Sequence, residues 1–328
     1  MAGRRTNLSL LAASLLALIT GVGAFIVGTP AGRWVIVSHG VAALAIVALT
    51  PWKSVVAKRG MSRRRRGRGL SLGLTFVTVG TIATGVILVV GGTDRVGPFT
   101  TMQLHVSLGL LMISLTLLHT LQRPVQPRSS DLSRRSFLRA GGLLAAAGGL
   151  WLSIEAVLDA IGARGGDRRF TGSHFVASPE DVPVTQWIND RVQHLDPASH
   201  RVMVGAEQVT VEEVAQGGDV VQATLDCTGG WYTTQEWSGT LLARLLGDMS
   251  GESVVVRSAT GYWRRFPMDE ASGLLLATHM AGRPLTDGHG GPLRLVAPGR
   301  RGYWWVKWVD TIEADDQPAW WQPPLPTA

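Results

Sequence analysis

Residues 225–246 read LDCTGGWYTTQEWSGTLLARLL, and the third of them, Cys227, is the single cysteine of a 328-residue chain. A β-branched run, Val220–Leu225, leads into it, and Gly229 and Gly230 follow. A cysteine at a strand end ahead of glycines sits where backbone can approach a bound group closely, because glycine has no Cβ to hold that group off. The same context also suits a small buried hydrophobe. One cysteine excludes a disulfide framework and a cysteine-rich zinc or iron–sulfur site. It leaves this sulfur as the candidate ligand or nucleophile.

Working outward, residues 163–328 are enough for one core. The pattern predicts strands at Arg201–Val204, Val220–Leu225, Ser253–Ser258, Leu293–Ala297 and Trp304–Ile312. It predicts helices at Thr210–Gln216, with Thr210 as cap and Glu213 three residues on, and at Ser238–Leu246. Turn signals stand at Gly229-Gly230, Gly261, Asp287-Gly288, Gly290-Gly291-Pro292 and Pro298-Gly299. The tail Asp315–Ala328, Pro-rich with Trp320-Trp321, reads as a surface strap or a membrane-interface contact.

A second block, Asp287-Gly288-His289-Gly290-Gly291-Pro292-Leu293-Arg294-Leu295-Val296-Ala297-Pro298, is followed by Gly302 and by Trp305-Val306-Lys307-Trp308. Together with the Cys227 segment, in this order, it resembles the sulfite oxidase-type molybdopterin enzymes over about residues 167–315. The resemblance implies an α+β molybdopterin-binding fold with Cys227 as catalytic residue and thiolate ligand of molybdenum, a soft donor suited to a dithiolene-held metal. It assigns cofactor contacts to His174, Phe175, Cys227, Thr228, Thr260, His289, Arg294, Trp305, Val306 and Lys307. Cationic groups among these match an anionic pterin phosphate. The chain departs from classical sulfite oxidases: no charged residue directly follows Cys227, and no stretch is left for their immunoglobulin-like dimerisation domain. Arg257, Arg264 and Arg265 are the alternative sources of charge. In these respects the chain is more similar to bacterial methionine-sulfoxide reductase catalytic subunits.

The net charge of +7 hides two unlike halves. Residues 1–139 hold 17 Lys/Arg against Asp94 and Asp131, whereas residues 140–328 hold 14 against 22 acids. Runs 6–32, 34–52, 69–93 and 96–122 contain no Asp, Glu, Lys or Arg. A bilayer core takes about 20 apolar residues per helix, and amphipathic helices of a soluble bundle would show charged faces. The runs predict transmembrane helices near 8–28, 33–51, 70–91 and 101–121, with a fifth span at about 138–160. The whole is then a five-helix bundle joined to the C-terminal domain: 1–132 the four-helix part, 133–162 the fifth helix, and 163–328 the molybdopterin domain.

Lys and Arg crowd alternate loops: Arg4 and Arg5; Lys53, Lys58, Arg59, Arg63, Arg64, Arg65, Arg66 and Arg68; Arg123, Arg128, Arg134, Arg135 and Arg139. The other loops hold Arg33 and Arg95. This predicts a bacterial cell-membrane protein, multi-pass, with a cytoplasmic N-terminus and an extracytoplasmic C-terminal domain. The basic clusters meet membrane lipid headgroups, and no nucleic-acid partner is implied. Ser133-Arg134-Arg135-Ser136-Phe137-Leu138-Arg139 resembles a twin-arginine export signal. The resemblance implies the twin-arginine machinery as a partner and a cofactor inserted before export; the alternative is an inner anchor with an incidental arginine pair.

Ionisable residues inside spans are functional candidates. His39 and His105 lie at similar depth near the outer side, on different helices. Two such imidazoles can hold the iron of one haem b axially, with Gly40 and Gly109 making room; the alternative is a hydrogen bond between helices. His119 lies deeper, facing the interface or a quinone. The sequence thus points to a membrane-bound molybdenum oxidoreductase. It would carry out two-electron oxo-transfer on a small-molecule or protein-bound substrate and exchange electrons with a quinone or other redox partner. The alternative is a catalytically idle sensor or assembly module on a membrane anchor.

Overall fold

The computed structural model describes residues 2–61, 68–91, 95–187 and 190–326. Arg63, Arg64, Arg65, Arg66 and Asp94, which enter the charge pattern, lie outside the described residues. The chain divides into two units, Met1–His174 and Phe175–Ala328.

The first unit holds five long helices: α1 (Ala2–Ile26), α2 (Gly32–Met61), α3 (Arg68–Val90), α4 (Thr101–Gln122) and α5 (Arg134–Ala160). A small hairpin of β1 (Arg95–Val96) and β2 (Phe99–Thr100) joins α3 to α4. All five helices are long and apolar enough to cross a membrane. At 1.5 Å per residue, the 22 residues of α4 are long enough to match a hydrocarbon core of about 30 Å. Large apolar side chains face outward: Phe76 is 78% exposed and Leu121 69%. Such a face lacks a driving force in water and finds one in lipid.

The helices outrun their sequence bounds at several ends. α2 continues through Pro51 to Met61, ten residues past the apolar run. α5 starts at Arg134, because the Ser133 hydroxyl accepts from the Ser136 N–H and caps the helix there. Arg134 and Arg135 therefore form its first turn. Helix α1 packs on α2, α3 on α4, and α5 on α2. Gly40 serves that last contact: a Cβ there would lie 2.2 Å from the Trp151 ring of α5. The space expected to admit a flat ring beside Gly40 is thus filled by indole. No atom lies within 4 Å of a Cβ at Gly109.

The second unit is built from two sheets around one core. After β3 (His174–Phe175) come β4 (Arg201–Val204), β5 (Glu207–Thr210), α6 (Val211–Gln216), β6 (Asp219–Cys227), β7 (Trp231–Leu241), α7 (Leu242–Leu246), β8 (Ser253–Ser258), β9 (Trp263–Pro267), β10 (Leu275–Met280), β11 (Arg283–Pro284), β12 (Arg294–Val296) and β13 (Val309–Asp315). In the first sheet β7 pairs β6 on one side and β10 on the other, and β10 also pairs β11 and β12. The second runs β5-β4-β13-β8-β9, antiparallel except for β4 and β13. Ala223, Leu225 and Trp237 of the first sheet share a core with Val202, Val254 and Ile312 of the second. Alternation in β6 explains this: Ala223, Leu225 and Cys227 point inward, while Thr224 bonds Thr234 across the outer face at 2.8 Å.

Three sequence expectations are corrected. Ser238–Leu246 is helical only from Leu242, because Ser238–Leu241 completes β7 against β10. The Leu293–Ala297 strand narrows to Arg294–Val296. Trp304–Ile312 is not one strand: Gly302–Trp304 is a 3-10 turn, and Trp308 has φ 51° before β13 begins. A left-handed tryptophan cannot continue a strand.

Candidate active site

Cys227 ends β6, and the turn Thr228-Gly229-Gly230 returns the chain to Trp231 in β7. Gly230 takes φ 89°, which suits glycine alone at this tight return. The Gly229 N–H donates to the Cys227 sulfur at 3.3 Å. Gly302 permits the next approach: a Cβ there would be 3.0 Å from the Cys227 Cα. Beside it Arg301 bridges to the β6 backbone at Asp226, and the two side chains form a buried ion pair, 4% and 6% exposed.

A cleft with about 610 Å³ of open space, solvent included, lies over this corner. Its walls come from four parts of the chain. The loop before residue 188 gives Thr185 and Trp187; the β6–β7 turn gives Cys227, Thr228 and Trp231. Tyr262 follows β8, and His289, Arg294, Tyr303, Trp305 and Lys307 come from the segment between β11 and β13.

Charge in the cleft is mostly positive. Lys307 Nζ donates to the carbonyls of Thr185 at 2.8 Å and Gly288 at 2.6 Å, leaving one of its three N–H bonds for a ligand. Gly290, at φ 97°, allows this: a Cβ there would stand 2.8–3.1 Å from Lys307. Burial, reinforced by the Arg294 charge, brings the Lys307 pKa down to about 7. Arg294 is buried between Trp237 and Trp305, and its Nη1 donates to the His289 carbonyl at 2.9 Å. Burial lowers its pKa to about 10, and its Nε has no partner among the described residues. Burial pushes the Cys227 thiol up, opposed by the Gly229 N–H and by Arg301, Thr185 and Lys307. Asp190, on the same wall, is raised by burial, and its Oδ1 has no partner among the described residues. A metal or an added anion changes this balance, since each buried cation then gains a counter-charge.

The lysine carries a pH signature. Its pKa in the fold is near 7 against 10.5 for the free side chain. Between those values the unfolded chain binds a proton that the folded chain does not, so stability rises with pH across that window. Below about pH 7 both states are protonated and this contribution is flat. In cofactor-free protein, the unfolding midpoint is expected to climb from pH 7 to 10, and Lys307→Met to flatten that climb. A slope that Lys307→Met leaves unchanged would place the proton elsewhere.

Of the residues singled out in the sequence, the cleft gathers Cys227, Thr228, His289, Arg294, Trp305 and Lys307. Four others do not line it. His174 is 2% exposed, and its ring nitrogens meet the carbonyls of Leu88 at 2.7 Å and Arg164 at 3.3 Å. Phe175 is half-exposed and stacks on Tyr232. Thr260 hydrogen-bonds Asp190 and so acts behind the wall. Val306 turns inward, its carbonyl accepting from the Leu295 N–H at 2.8 Å. Within the lining, both ring nitrogens of His289 are engaged, by Thr286 at 2.8 Å and the Val182 carbonyl at 3.0 Å.

Arg257, Arg264 and Arg265 do not line the cleft. Arg257 pairs Glu313, Arg264 stacks 4.1 Å over Trp304, and Arg265 pairs Asp315 at 2.8 Å. The tail is a strap: Gln322 exchanges hydrogen bonds with the Arg265 backbone, and the Pro326 carbonyl accepts from Trp187 Nε1 at 3.1 Å. Asp190, Thr185, Tyr303 and Arg301 are the contributors that sequence patterning missed. They sit in loops without periodicity, and no motif marks them.

In the helical unit, the His39 and His105 rings lie 6.0 Å apart between centroids, with their planes 81° apart. The two histidines, read from the sequence as lying at similar depth on different helices, are neighbours within this unit.

Residues 190–321 match the model of the oxidoreductase molybdopterin-binding domain family. Over 50 residues the chain is 44% identical to a nitrate reductase [NADPH] of Mycosarcoma maydis, which is 15% of this chain and 5% of that protein. Among solved structures it is similar to the sulfane dehydrogenase SoxCD of Paracoccus pantotrophus. That likeness has a TM-score of 0.36 at 25% identity, over 38% of this chain and 40% of that one. The chain therefore spans well under half the length of each.

Proposed function

We propose that this chain, an oxidoreductase whose residues 190–321 form a molybdopterin-binding domain, works as a membrane-bound molybdenum enzyme of two-electron oxo-transfer on an extracytoplasmic substrate. The observation that carries the reading is a lone buried thiol in a cleft walled by Arg294 and Lys307. The donor set fits the cofactor. Arg294 Nε is a buried donor lacking an acceptor, and a phosphate-bearing pterin supplies acceptors to such groups. The free N–H of Lys307 is available in the same way. Cys227 is the soft ligand the metal takes from the protein.

Bound molybdenum supplies the two-electron chemistry; the protein binds, orients and holds charge. Lys307, whose pKa lies near 7, is raised by a bound anion and so held protonated against it. Trp187, Trp231 and Trp305 wall the cleft and limit water around the substrate. Asp190 and Tyr262 are among the polar lining groups available to orient it. Tyr262 gives its hydroxyl hydrogen to the Tyr303 carbonyl, so toward the cleft it only accepts. Asp190, raised by burial, is the wall's acid–base group.

The helical unit completes the reading. Its five long apolar helices lie in a bacterial cell membrane, with the basic loops inside and the C-terminal domain outside. The Ser133–Arg139 segment then directs export by the twin-arginine route. His39 and His105 are the residues that would hold a haem b. Their rings lie 6.0 Å apart between centroids, near enough for both to meet one bound metal ion. Such a group would supply one-electron chemistry for exchange with a quinone or other redox partner. An activity screen tests the reading: purified full-length protein is offered sulfite, methionine sulfoxide and other S- and N-oxides with artificial electron donors or acceptors. Turnover of one class is expected; a fully molybdenum-loaded protein inert to all would favour the idle-module reading.

A further inference from the structure

The surroundings of the two membrane histidines repeat. In α1, Ala17, Thr20 and Gly21 meet His39 of α2; in α3, Thr81, Thr84 and Gly85 meet His105 of α4. His39 Nδ1 lies 2.9 Å from the Ala17 carbonyl and 3.2 Å from the Thr20 hydroxyl. His105 Nδ1 lies 3.0 Å from the Thr81 carbonyl and 3.2 Å from the Thr84 hydroxyl. Each glycine lets its ring in: a Cβ at Gly21 would be 3.3 Å from the His39 Cε1, and one at Gly85 3.1 Å from the His105 Cε1. The same spacing, carbonyl residue, then threonine three on, then glycine, has been used twice.

Donor bookkeeping fixes the protons. Each threonine has one hydroxyl hydrogen, and it is spent on its own helix: Thr20 donates to the Leu16 carbonyl at 2.6 Å, Thr84 to those of Gly80 and Thr81 at 2.9 Å. Toward the imidazole the hydroxyl can only accept, as can the carbonyl. Nδ1 must therefore carry the hydrogen in both rings. Nε2 is then a bare lone pair in both, and neither Nε2 has a hydrogen-bond partner among the described residues. A hydrogen bond between the two histidines would need an Nε2–H on one of them, which this tautomer removes. What remains is two lone pairs on neighbouring, near-perpendicular rings 6.0 Å apart.

We propose that Thr20 and Thr84, with the carbonyls of Ala17 and Thr81, are twin positioning groups that lock both imidazoles as Nδ1–H tautomers and present both Nε2 atoms to one haem iron. The inference rests on the haem reading above and deepens it: the helical unit is two like hairpins, α1–α2 and α3–α4, each delivering one tautomer-locked ligand. Outer partners of a metal-bound imidazole orient the ring and raise its basicity, and losing one costs about 10–100-fold in affinity. The carbonyl stays in each variant, so the effect sits at the low end.

The test uses the full chain in detergent, loaded with haem b, in wild type, Thr20→Val, Thr84→Val, the double variant and the corresponding serine variants. Each valine is expected to weaken haem retention about tenfold, and the pair by about the product, because the sites lie on separate hairpins. The midpoint potential should rise in each, since a less basic imidazole stabilises ferric iron less. The serine variants should match wild type in both measurements. That rescue and the shift in potential separate positioning from mere folding. A double valine variant with unchanged retention and potential overturns this inference and leaves the haem reading standing. So does a loss that serine fails to rescue. Wild-type protein that takes up no haem, with a flat reduced-minus-oxidised spectrum, overturns both.

Discussion

Cys227→Ser is expected to lower turnover at least ~100-fold, while the purified protein keeps its fold and part of its pterin. The thiol is the cleft's single sulfur, and losing a metal ligand costs more than losing an outer partner, itself 10–100-fold. Serine fills the same space, so the β6–β7 turn should persist: Gly229 N–H, now donating to sulfur at 3.3 Å, can donate to a hydroxyl. Retention of pterin follows because Arg294 and Lys307 are untouched. Turnover with any accepted substrate, divided by bound molybdenum, is the measurement. Full turnover in the variant would show that the sulfur is only a small buried hydrophobe.

The largest expected stability effect belongs to the pair behind that thiol. Arg301→Met leaves the Asp226 carboxylate buried without its guanidinium; breaking one side of such a pair costs about 3–5 kcal/mol. For a unit of this size that is a fall in midpoint of roughly 10 °C. Adding Asp226→Leu removes the buried carboxylate as well and should return most of the loss, since apolar replacements of buried pairs are often neutral. The double variant should still bind cofactor poorly. Arg301 is one of the groups that oppose the upward push of burial on Cys227, and apolar side chains cannot replace that charge. Thermal unfolding followed by tryptophan fluorescence, beside molybdenum content, separates the two effects. A single variant as stable as wild type would remove the pair from the account.

How much of this was legible depends on how local each feature is. The Cys227 turn could be read because its parts are neighbours: a strand end, then glycines, then the φ 89° that Gly230 supplies. Arg294 and Lys307 are far from Cys227 in sequence, and the resemblance, not the pattern, joined them to it. Thr185 and Asp190 lie in a loop with no periodicity, so nothing in the sequence aims them at the cleft. The break at Trp308 was hidden for another reason. Trp-Val-Lys-Trp looks like a strand, and only the packing that carries Lys307 into the cleft makes a left-handed tryptophan worth its strain, of order 1–3 kcal/mol. Five apolar helices were plain because a bilayer-length run has few other uses. The twin Thr-Gly pairs were not, because hydropathy averages them away. Their regularity shows once Thr20 and Thr84 are seen at the same 3.2 Å from two histidines.

The central claim is that Cys227 and the cations around it hold a molybdenum–pterin group. Metal and pterin analysis of the purified full-length protein, with X-ray absorption at the molybdenum edge, tests it most directly. The account predicts about one molybdenum and one pterin per chain, with one sulfur ligand fewer in Cys227→Ser than in wild type. Wild-type protein carrying neither molybdenum nor pterin, or an identical sulfur shell in the variant, would contradict it.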